Sequence, residues 1–337
     1  MITGIYGILL AGAAYVPLDV KWPADRIAEV VSHGAVSEML QTLPGATASP
    51  ASGAAPVYCF FTSGSTGKPK GVVVPHAGLV HRVRWFQARY CMAAGEPHLL
   101  KHSYTFGLSE WEIFWTLSFG GTLVLLKPEG EKDIEYLHRL LCVHRVPTSV
   151  LVPSVLRALL EYAVLEAGDD AGDVLLPHLR QVITCGEALP SDLVHALFDA
   201  CPRVRLDNLY GPTEGEMTVH KCEPGRLLQG GVPIGVPIAG AATYLLNVAG
   251  GLAGIGEPGE LFFGGPFLAL GYLGSPSQTA LRFVFHASLG RLYATGDLAR
   301  WSEGGELEFL GRTDFQVRRL FHREEQEPSV NPSGSFL

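Results

Sequence analysis

Several features that would point to a common class of protein are missing from this sequence of 337 residues. Lysine and arginine number 25 against 33 acidic residues, a formal charge of −8, so the basic face of a nucleic-acid-binding protein is not indicated. The six cysteines include no Cys-x-x-Cys pair and have no histidine at zinc-ligand spacing, which argues against a structural zinc site. No apolar run is both long and uncharged enough to span a membrane. We therefore predict no nucleic-acid partner and no membrane partner.

The apolar segment from Ile5 to Val16 does not have the form of a signal peptide. It lacks a preceding basic stretch, is interrupted by glycines and continues into Pro17-Leu18-Asp19. Several cysteines stand in apolar runs, where a reduced, buried thiol is the usual state. We therefore predict a cytoplasmic protein in a reducing compartment.

Strand-like and helix-like segments alternate along much of the chain, which is typical of an α/β fold. With 47% hydrophobic residues the chain can bury a large core, and its length predicts more than one subdomain. We predict two largely parallel sheets covered by helices, the arrangement that this alternation favours. Strands are predicted at residues 57–61, 72–74, 99–100, 122–126, 149–152 and 181–184, and helices at 77–90, 110–117, 133–144, 155–167 and 191–200.

The pattern changes after about residue 230. Short strands at residues 242–247, 259–264 and 307–311 are separated by Gly-Pro turns, which predicts a small β-rich lobe over about residues 230–310. Residues 323–337 are polar and rich in proline and serine, so we expect them to be disordered.

Residues 62–71 have a composition suited to binding a polyanion: four small hydroxyls, three glycines and two lysines directly after a predicted buried strand. Backbone N–H groups of a glycine-rich turn point inward, hydroxyls add donors and lysines add charge. The segment is not a P-loop, because Thr62 and Pro69 stand where that motif has its first glycine and its last hydroxyl. A flexible linker is the alternative; the preceding strand pattern favours phosphate binding.

Seven motifs occur in order along the chain: AGAAYVPLD at 11–19, the glycine loop within 57–71, WEIF at 111–114, NLYGPTE at 208–214, GEL at 259–261 with GYL at 271–273, YATGDL at 293–298 and GRTDFQV at 311–317. Together they resemble the adenylate-forming superfamily, and most closely the amino-acid adenylation domains of nonribosomal peptide synthetases. The resemblance covers residues 5 to about 319.

The resemblance implies that the chain uses ATP and Mg²⁺ to activate a carboxylic acid as an acyl-adenylate. In that reaction the carboxylate attacks the α-phosphate and pyrophosphate leaves, a step catalysed mainly by positioning and charge stabilisation. The implied catalytic residues are Lys70, Thr213 and Glu214, with Glu214 as the Mg²⁺ ligand. The implied nucleotide-binding residues are Thr62, Ser63, Gly64, Ser65, Thr66, Gly67, Lys68, Gly186, Glu187, Tyr210, Gly211, Asp297 and Arg312.

Some of these residues have an ordinary alternative interpretation. The resemblance implies that Tyr210 stacks on adenine, that Asp297 accepts the ribose hydroxyls and that Arg312 lies near ribose and phosphate. Considered alone, Glu214 is equally consistent with a solvated turn carboxylate, Tyr210 with core packing and Arg312 with a surface cation. Asp314 corresponds to the hinge of the family, about which the small lobe moves.

The residues that line the acid pocket of the family also have counterparts here: Gly107, Leu108, Trp111, Val155, Ile183, Cys185, Leu209, Met217 and Thr218. Most are apolar, which favours an apolar substrate side chain, although such residues also build ordinary α/β cores. The family usually has aspartate at the place of Gly107, paired with the α-ammonium group of an amino acid. Because glycine supplies no charge and Glu110 is expected to point elsewhere, we predict a hydroxy, keto, aryl or fatty acid.

The chain departs from the family at both ends. It begins at the second motif, and Leu320–Glu325 replaces the expected basic-glycine run and the C-terminal lobe with its catalytic lysine. We therefore expect a truncated domain of weak or no activity, with an incomplete core over residues 1–310 and a hinge and lobe remnant over 311–337. The predicted acceptor is a carrier-protein phosphopantetheine thiol or CoA. The alternatives are a free-standing acyl- or aryl-CoA ligase and a silent remnant that binds only nucleotide.

Overall fold

The computed structural model describes residues 1–31, 53–63, 69–167, 176–225 and 231–313. Its helices are α1 (Ile2–Leu10), α2 (Ala24–Val31), α3 (His76–Tyr90), a π-helix (Trp111–Trp115) that continues into α4 (Thr116–Ser118), a 3₁₀ turn (Gly130–Lys132), α5 (Ile134–Val143), α6 (Pro153–Ala167), α7 (Ser191–Ala200) and α8 (Pro276–Arg282). Its strands are β1 (Pro56–Ser63), β2 (Pro69–Pro75), β3 (Pro97–Leu100), β4 (Thr122–Leu125), β5 (Thr148–Leu151), β6 (Gln181–Thr184), β7 (Arg205–Tyr210), β8 (Thr218–Cys222), β9 (Val236–Pro237), β10 (Ala242–Leu246), β11 (Gly259–Gly264), β12 (Gly271–Tyr272), β13 (Phe283–His286), β14 (Gly290–Trp301) and β15 (Leu307–Arg312).

The described strands form several sheets between which the helices pack. One sheet has the order β1-β2-β12, a second the order β5-β6-β7-β8-β9, and β3 pairs with β4. A further sheet has the order β10-β11-β14-β13, with β15 added to β14. The predicted α/β class is confirmed.

The predicted parallel pairing is correct for only part of the fold. The pairs β3-β4, β5-β6 and β6-β7 are parallel, whereas β1-β2, β2-β12, β7-β8 and β8-β9 are antiparallel. For β1-β2 and β7-β8 the reason is the length of the connection, since a parallel crossover needs a dozen or more residues. Only residues 64–68 connect β1 to β2, and only residues 211–217 connect β7 to β8, so each pair forms a hairpin.

Strands after residue 230 do not all join the β-rich sheet. β9 pairs with β8, and β12 pairs with β2, the strand that follows the glycine loop. The predicted helix at residues 110–117 is a π-helix over its first part, and every residue from Trp111 to Trp115 is buried. The main core contains the apolar faces of β1 and α3 together with this π-helix.

Candidate active site

Two adjoining cavities lie where β6 and β7 end. Cys185 and Gly186 follow β6, Gly211 and Pro212 follow β7, and these residues line both cavities. Because β6 and β7 are parallel, their carboxyl ends meet at one edge of the sheet, the usual place for ligands in α/β folds. The two cavities therefore share a wall at the carboxyl ends of these strands.

The two cavities differ in size and lining. The small cavity has a volume of about 90 Å³ and is lined by Tyr58, Arg82, Phe106, Gly107, Leu108, Glu110, Trp111, Cys185, Gly186, Gly211, Pro212, Thr213, Gly215 and Met217. The large cavity has a volume of about 450 Å³ and is lined by Cys185, Gly186, Glu187, Ala188, Leu189, Asn208, Leu209, Tyr210, Gly211, Pro212, Gly231, Val232, Ile234, Asp297 and Phe309.

A buried ion pair lines the small cavity. Arg82 Nε donates to Glu110 Oε1 at 2.7 Å, and Arg82 Nη2 donates to Glu110 Oε2 at 3.2 Å. The Tyr58 hydroxyl and the Trp111 indole N–H, the latter at 2.9 Å, donate to the same carboxylate. Four donors therefore satisfy the Glu110 carboxylate, and the guanidinium balances its charge.

The prediction that Glu110 points away from the pocket is wrong, since its side chain lines the small cavity. The cause is a tertiary contact that helical spacing does not reveal. Arg82 is only 4% exposed, and a buried guanidinium without a counter-charge is strongly destabilising. Glu110 supplies that counter-charge, so it offers no uncompensated negative charge to a ligand in the small cavity.

The ion pair continues away from the small cavity through a second buried carboxylate. Glu216 is fully buried, and its Oε1 lies 3.9 Å from Arg82 Nη1. Its Oε2 lies 3.2 Å from His81 Nδ1, and the other ring nitrogen of His81 lies 2.7 Å from the Ala239 carbonyl oxygen. Both ring nitrogens face acceptors, so only the protonated imidazole donates to both.

We expect this contact to make stability depend on pH. Burial alone would lower the pKa of His81, but the hydrogen bond and charge of Glu216, with the Ala239 carbonyl, raise it above 6.5. Stabilisation is then complete below the unfolded-state pKa and is lost as pH rises through the folded-state pKa. Urea denaturation at a series of pH values from about 5.5 to about 9 should show the free energy of unfolding falling as the pH rises. His81→Asn should make that free energy depend less on pH. Equal pH slopes for the two proteins would contradict this account.

Asp297 lines the large cavity, and neighbouring side chains fix its carboxylate in place. The Tyr210 hydroxyl donates to its Oδ2, and Arg312 Nη1 donates to its Oδ1 at 3.0 Å. Arg312 Nη1 also donates to the Thr295 carbonyl oxygen at 3.0 Å, and the Asp297 N–H donates to Thr295 Oγ1 at 3.0 Å. Three predicted nucleotide-binding residues thus lie in direct contact, on three different strands.

Glu214 and Lys70 both contact Tyr272. The Tyr272 hydroxyl donates to Glu214 Oε1 at 2.9 Å, and Lys70 Nζ lies 5.4 Å from the centroid of the Tyr272 ring. Glu214 Oε2 makes no hydrogen bond to any residue that the structure describes. A carboxylate with one free oxygen fits Mg²⁺, which binds one or two protein carboxylates and keeps phosphate and water ligands.

Several predicted nucleotide-binding residues lie at the hairpin or at α6. Thr62 pairs with Lys70 across the β1-β2 hairpin, and Ser63 ends β1. Glu187 lines the large cavity and accepts hydrogen bonds from the backbone N–H of Ser154 at 3.0 Å and its hydroxyl at 2.9 Å. Gly64, Ser65, Thr66, Gly67, Lys68 and Asp314 lie outside the described residues.

Of the nine predicted acid-pocket residues, six line one of the two cavities and three do not. The small cavity is lined by Gly107, Leu108, Trp111, Cys185 and Met217, and Leu209 lines the large one. Val155, Ile183 and Thr218 line neither cavity. Val155 packs against the core beneath α6, Ile183 is fully buried in the main core, and Thr218 Oγ1 donates to the Ile234 carbonyl oxygen at 2.5 Å.

The sequence interpretation assigned no site role to Tyr58, Arg82 or Tyr272. The sequence does indicate that Arg82 needs a buried partner, because it stands on the apolar stripe of α3. Tyr272 belongs to the GYL motif, but nothing in its spacing indicates a contact with Glu214. Within the described ranges, no cluster of three or more His, Cys, Asp or Glu side chains could bind a metal ion. No helix in the same ranges is long and apolar enough to cross a membrane.

The family model described as "AMP-binding enzyme" matches residues 35–273. Among curated proteins, the phosphinothricin tripeptide synthetase PhsB of Streptomyces viridochromogenes is 38% identical over 94% of this chain and 29% of its own length. The vanchrobactin synthetase VabF of Vibrio anguillarum is 36% identical over 93% of this chain and 12% of its own length. The chain therefore spans a minor part of these relatives.

Solved structures of a nonribosomal peptide synthetase have the same fold as this chain. The nonribosomal peptide synthetase FmoA3 in its alpha-methyl-L-serine-AMP bound form has a TM-score of 0.81 and 30% identity, over 96% of this chain and 39% of that one. Its AMPPNP-bound form has a TM-score of 0.80 and 29% identity, over 95% of this chain and 37% of that one. The family match extends over more than half of the sequence and includes the wall that the two cavities share. The chain belongs to the AMP-binding enzyme family.

Proposed function

We propose that this chain takes part in the ATP- and Mg²⁺-dependent activation of a carboxylic acid as its acyl-adenylate. The observation that carries the proposal is the pair of adjoining cavities that share Cys185-Gly186 and Gly211-Pro212 as a common wall, with Asp297 lining the larger one. The FmoA3 structures in AMPPNP-bound and alpha-methyl-L-serine-AMP bound forms support it, because the first ligand is an ATP analogue and the second joins an acid to AMP.

The adenosine occupies the large cavity and the acid occupies the small one. Asp297, fixed by Tyr210 and Arg312, accepts hydrogen bonds from the ribose hydroxyls. Thr213 lines the small cavity beside the wall shared by the two cavities, and its hydroxyl donates to an α-phosphate oxygen. Lys70 and the glycine loop bind the departing phosphates. Glu214 would hold Mg²⁺, which would supply neutralisation of the phosphate charge.

The proposed acid carries no α-ammonium group. Among the lining residues of the small cavity, Arg82 and Glu110 are the ones with charged side chains, and their charges cancel. A buried ammonium ion without an uncompensated carboxylate costs several kcal/mol. The volume of about 90 Å³ favours a short hydroxy or keto acid over an aryl or fatty acid. The acceptor of the acyl group is a carrier-protein phosphopantetheine thiol or CoA.

Nucleotide binding by the chain tests the proposal. We expect Asp297→Ala to weaken AMP and ATP binding by about 10–100-fold, since hydrogen bonds to a charged group contribute about 1.5–3 kcal/mol. Lys70→Ala should weaken ATP binding and leave AMP binding unchanged, because AMP lacks the departing phosphates. Isothermal titration calorimetry measures both affinities.

Asp192→Ala is the matched control for these titrations. Asp192 is an exposed carboxylate paired with Arg157 on the surface of α7, and its loss should leave nucleotide affinity unchanged. Equal AMP affinity in the unaltered chain and in Asp297→Ala would refute the placement of the nucleotide.

A further inference from the structure

Tyr272 contacts two charged residues of the proposed phosphate site, Glu214 and Lys70. Its hydroxyl donates to Glu214 Oε1 at 2.9 Å, and Lys70 Nζ lies 5.4 Å from its ring centroid, within cation–π range. The side chain is 6% exposed. One buried phenol thus connects the strand after the glycine loop to the NLYGPTE turn.

The Tyr272 ring is held in place from several sides. Its backbone pairs with Val72 of β2, and its N–H donates to Thr279 Oγ1 at 2.9 Å. The ring packs edge-on against Phe283, with 5.7 Å between the two ring centroids. The hydroxyl therefore has a fixed position relative to β2.

This arrangement keeps two opposite charges apart. Lys70 and Glu214 make no ion pair with each other within the described ranges; each instead contacts a neutral part of Tyr272. A direct Lys70–Glu214 pair would neutralise the cation that phosphates require and the carboxylate that a metal ion requires.

We propose that Tyr272 is a positioning residue that holds Glu214 for Mg²⁺ and leaves Lys70 free for the phosphates of the nucleotide. The inference rests on the proposed function and adds a residue to it. The hydroxyl occupies Glu214 Oε1, so that Oε2 would be the oxygen available to Mg²⁺, and the ammonium group of Lys70 lies over the ring face, which does not cancel its charge.

The inference is tested by the effect of Mg²⁺ on ATP affinity. The dissociation constants of ATP and AMP are measured by calorimetry for the whole chain, once with Mg²⁺ and once with EDTA. The quantity of interest is the gain in ATP affinity that Mg²⁺ produces. Tyr272→Phe keeps the ring and removes the hydroxyl, so that gain should fall by about 10–100-fold, as for other partners of metal ligands. AMP affinity should stay within about twofold.

Further variants separate positioning from general damage. Tyr244→Phe removes a tyrosine hydroxyl in β10, outside both cavities, and should change neither affinity. Glu214→Gln should reduce the Mg²⁺-dependent gain in ATP affinity to a similar extent. The double variant Glu214→Gln with Tyr272→Phe should reduce it little further, because both changes disrupt the same interaction.

The outcomes for the proposed function and for Tyr272 are distinct. Failure of the unaltered chain to bind ATP or AMP would refute the proposed function. AMP binding retained by Tyr272→Phe, together with an undiminished Mg²⁺ effect on ATP, would refute the role of Tyr272 alone.

Discussion

Replacing Arg82 with leucine should lower the free energy of unfolding by about 3–5 kcal/mol, the usual cost of breaking a buried ion pair from one side. Arg82 is 4% exposed and Glu110 is 3% exposed, so the Glu110 carboxylate would remain in the core without a counter-charge. Glu216, fully buried and 3.9 Å from the guanidinium, would lose a neighbouring cation as well. Urea denaturation measures the difference.

Two further variants make the Arg82 result specific. Arg84→Leu changes an exposed arginine two positions along the same helix, and its effect should stay within about 0.5 kcal/mol. Arg82→Leu combined with Glu110→Leu removes both charges, and apolar replacements of a buried pair are often neutral. The double variant should therefore be more stable than Arg82→Leu. A double variant less stable than the single one would show that the loss comes from packing and not from charge.

The small cavity should discriminate by at least about 100-fold against an acid with an α-ammonium group, since several kcal/mol oppose burial of an uncompensated charge. The comparison uses non-hydrolysable acyl-adenosine analogues in matched pairs, one with an α-hydroxyl group and one with an α-ammonium group. The analogues differ only at this position, and their dissociation constants are measured by calorimetry. Equal affinity for both members of a pair would contradict the proposed acid class.

Gly107 provides the reciprocal experiment. A Cβ atom added there would lie 3.5 Å from Thr213 Oγ1, an ordinary van der Waals contact, so the Cβ atom itself meets no clash. Gly107→Asp should raise affinity for the ammonium-bearing analogue by about tenfold or more, because it adds a carboxylate next to that group. Gly107→Asn has the same size without the charge and should produce no such gain.

The sequence predicted the α/β class and most strands because apolar runs and turn residues are local signals. It did not predict pairing direction at β1-β2 and β7-β8, where short connections override the expectation of parallel sheets. Motif resemblance placed Asp297, Tyr210 and Arg312 in a common site, and the structure brings these three side chains into contact.

The polar lining of the small cavity could not be predicted in the same way. Glu110 and Arg82 come from a segment and a helix that meet only in the folded chain, so spacing around Glu110 gave the wrong direction for its side chain. The buried stripe of α3, which includes Leu79, Val83 and Phe86, does place Arg82 inside. A sequence pattern can thus show that a buried partner is required without showing which residue supplies it.

The pairing of β12 with β2 also bears on how the chain folds during synthesis. Val72 and Tyr272 are 200 positions apart, so one edge of β2 stays open until the later residue has been made. At about 5–20 residues per second, ribosomes need roughly 10–40 s for that interval. Throughout this time the edge beside residues 71–73 exposes unpaired backbone groups, which are a template for aggregation. We therefore expect the nascent chain to be more prone to aggregation before β12 is made than after it.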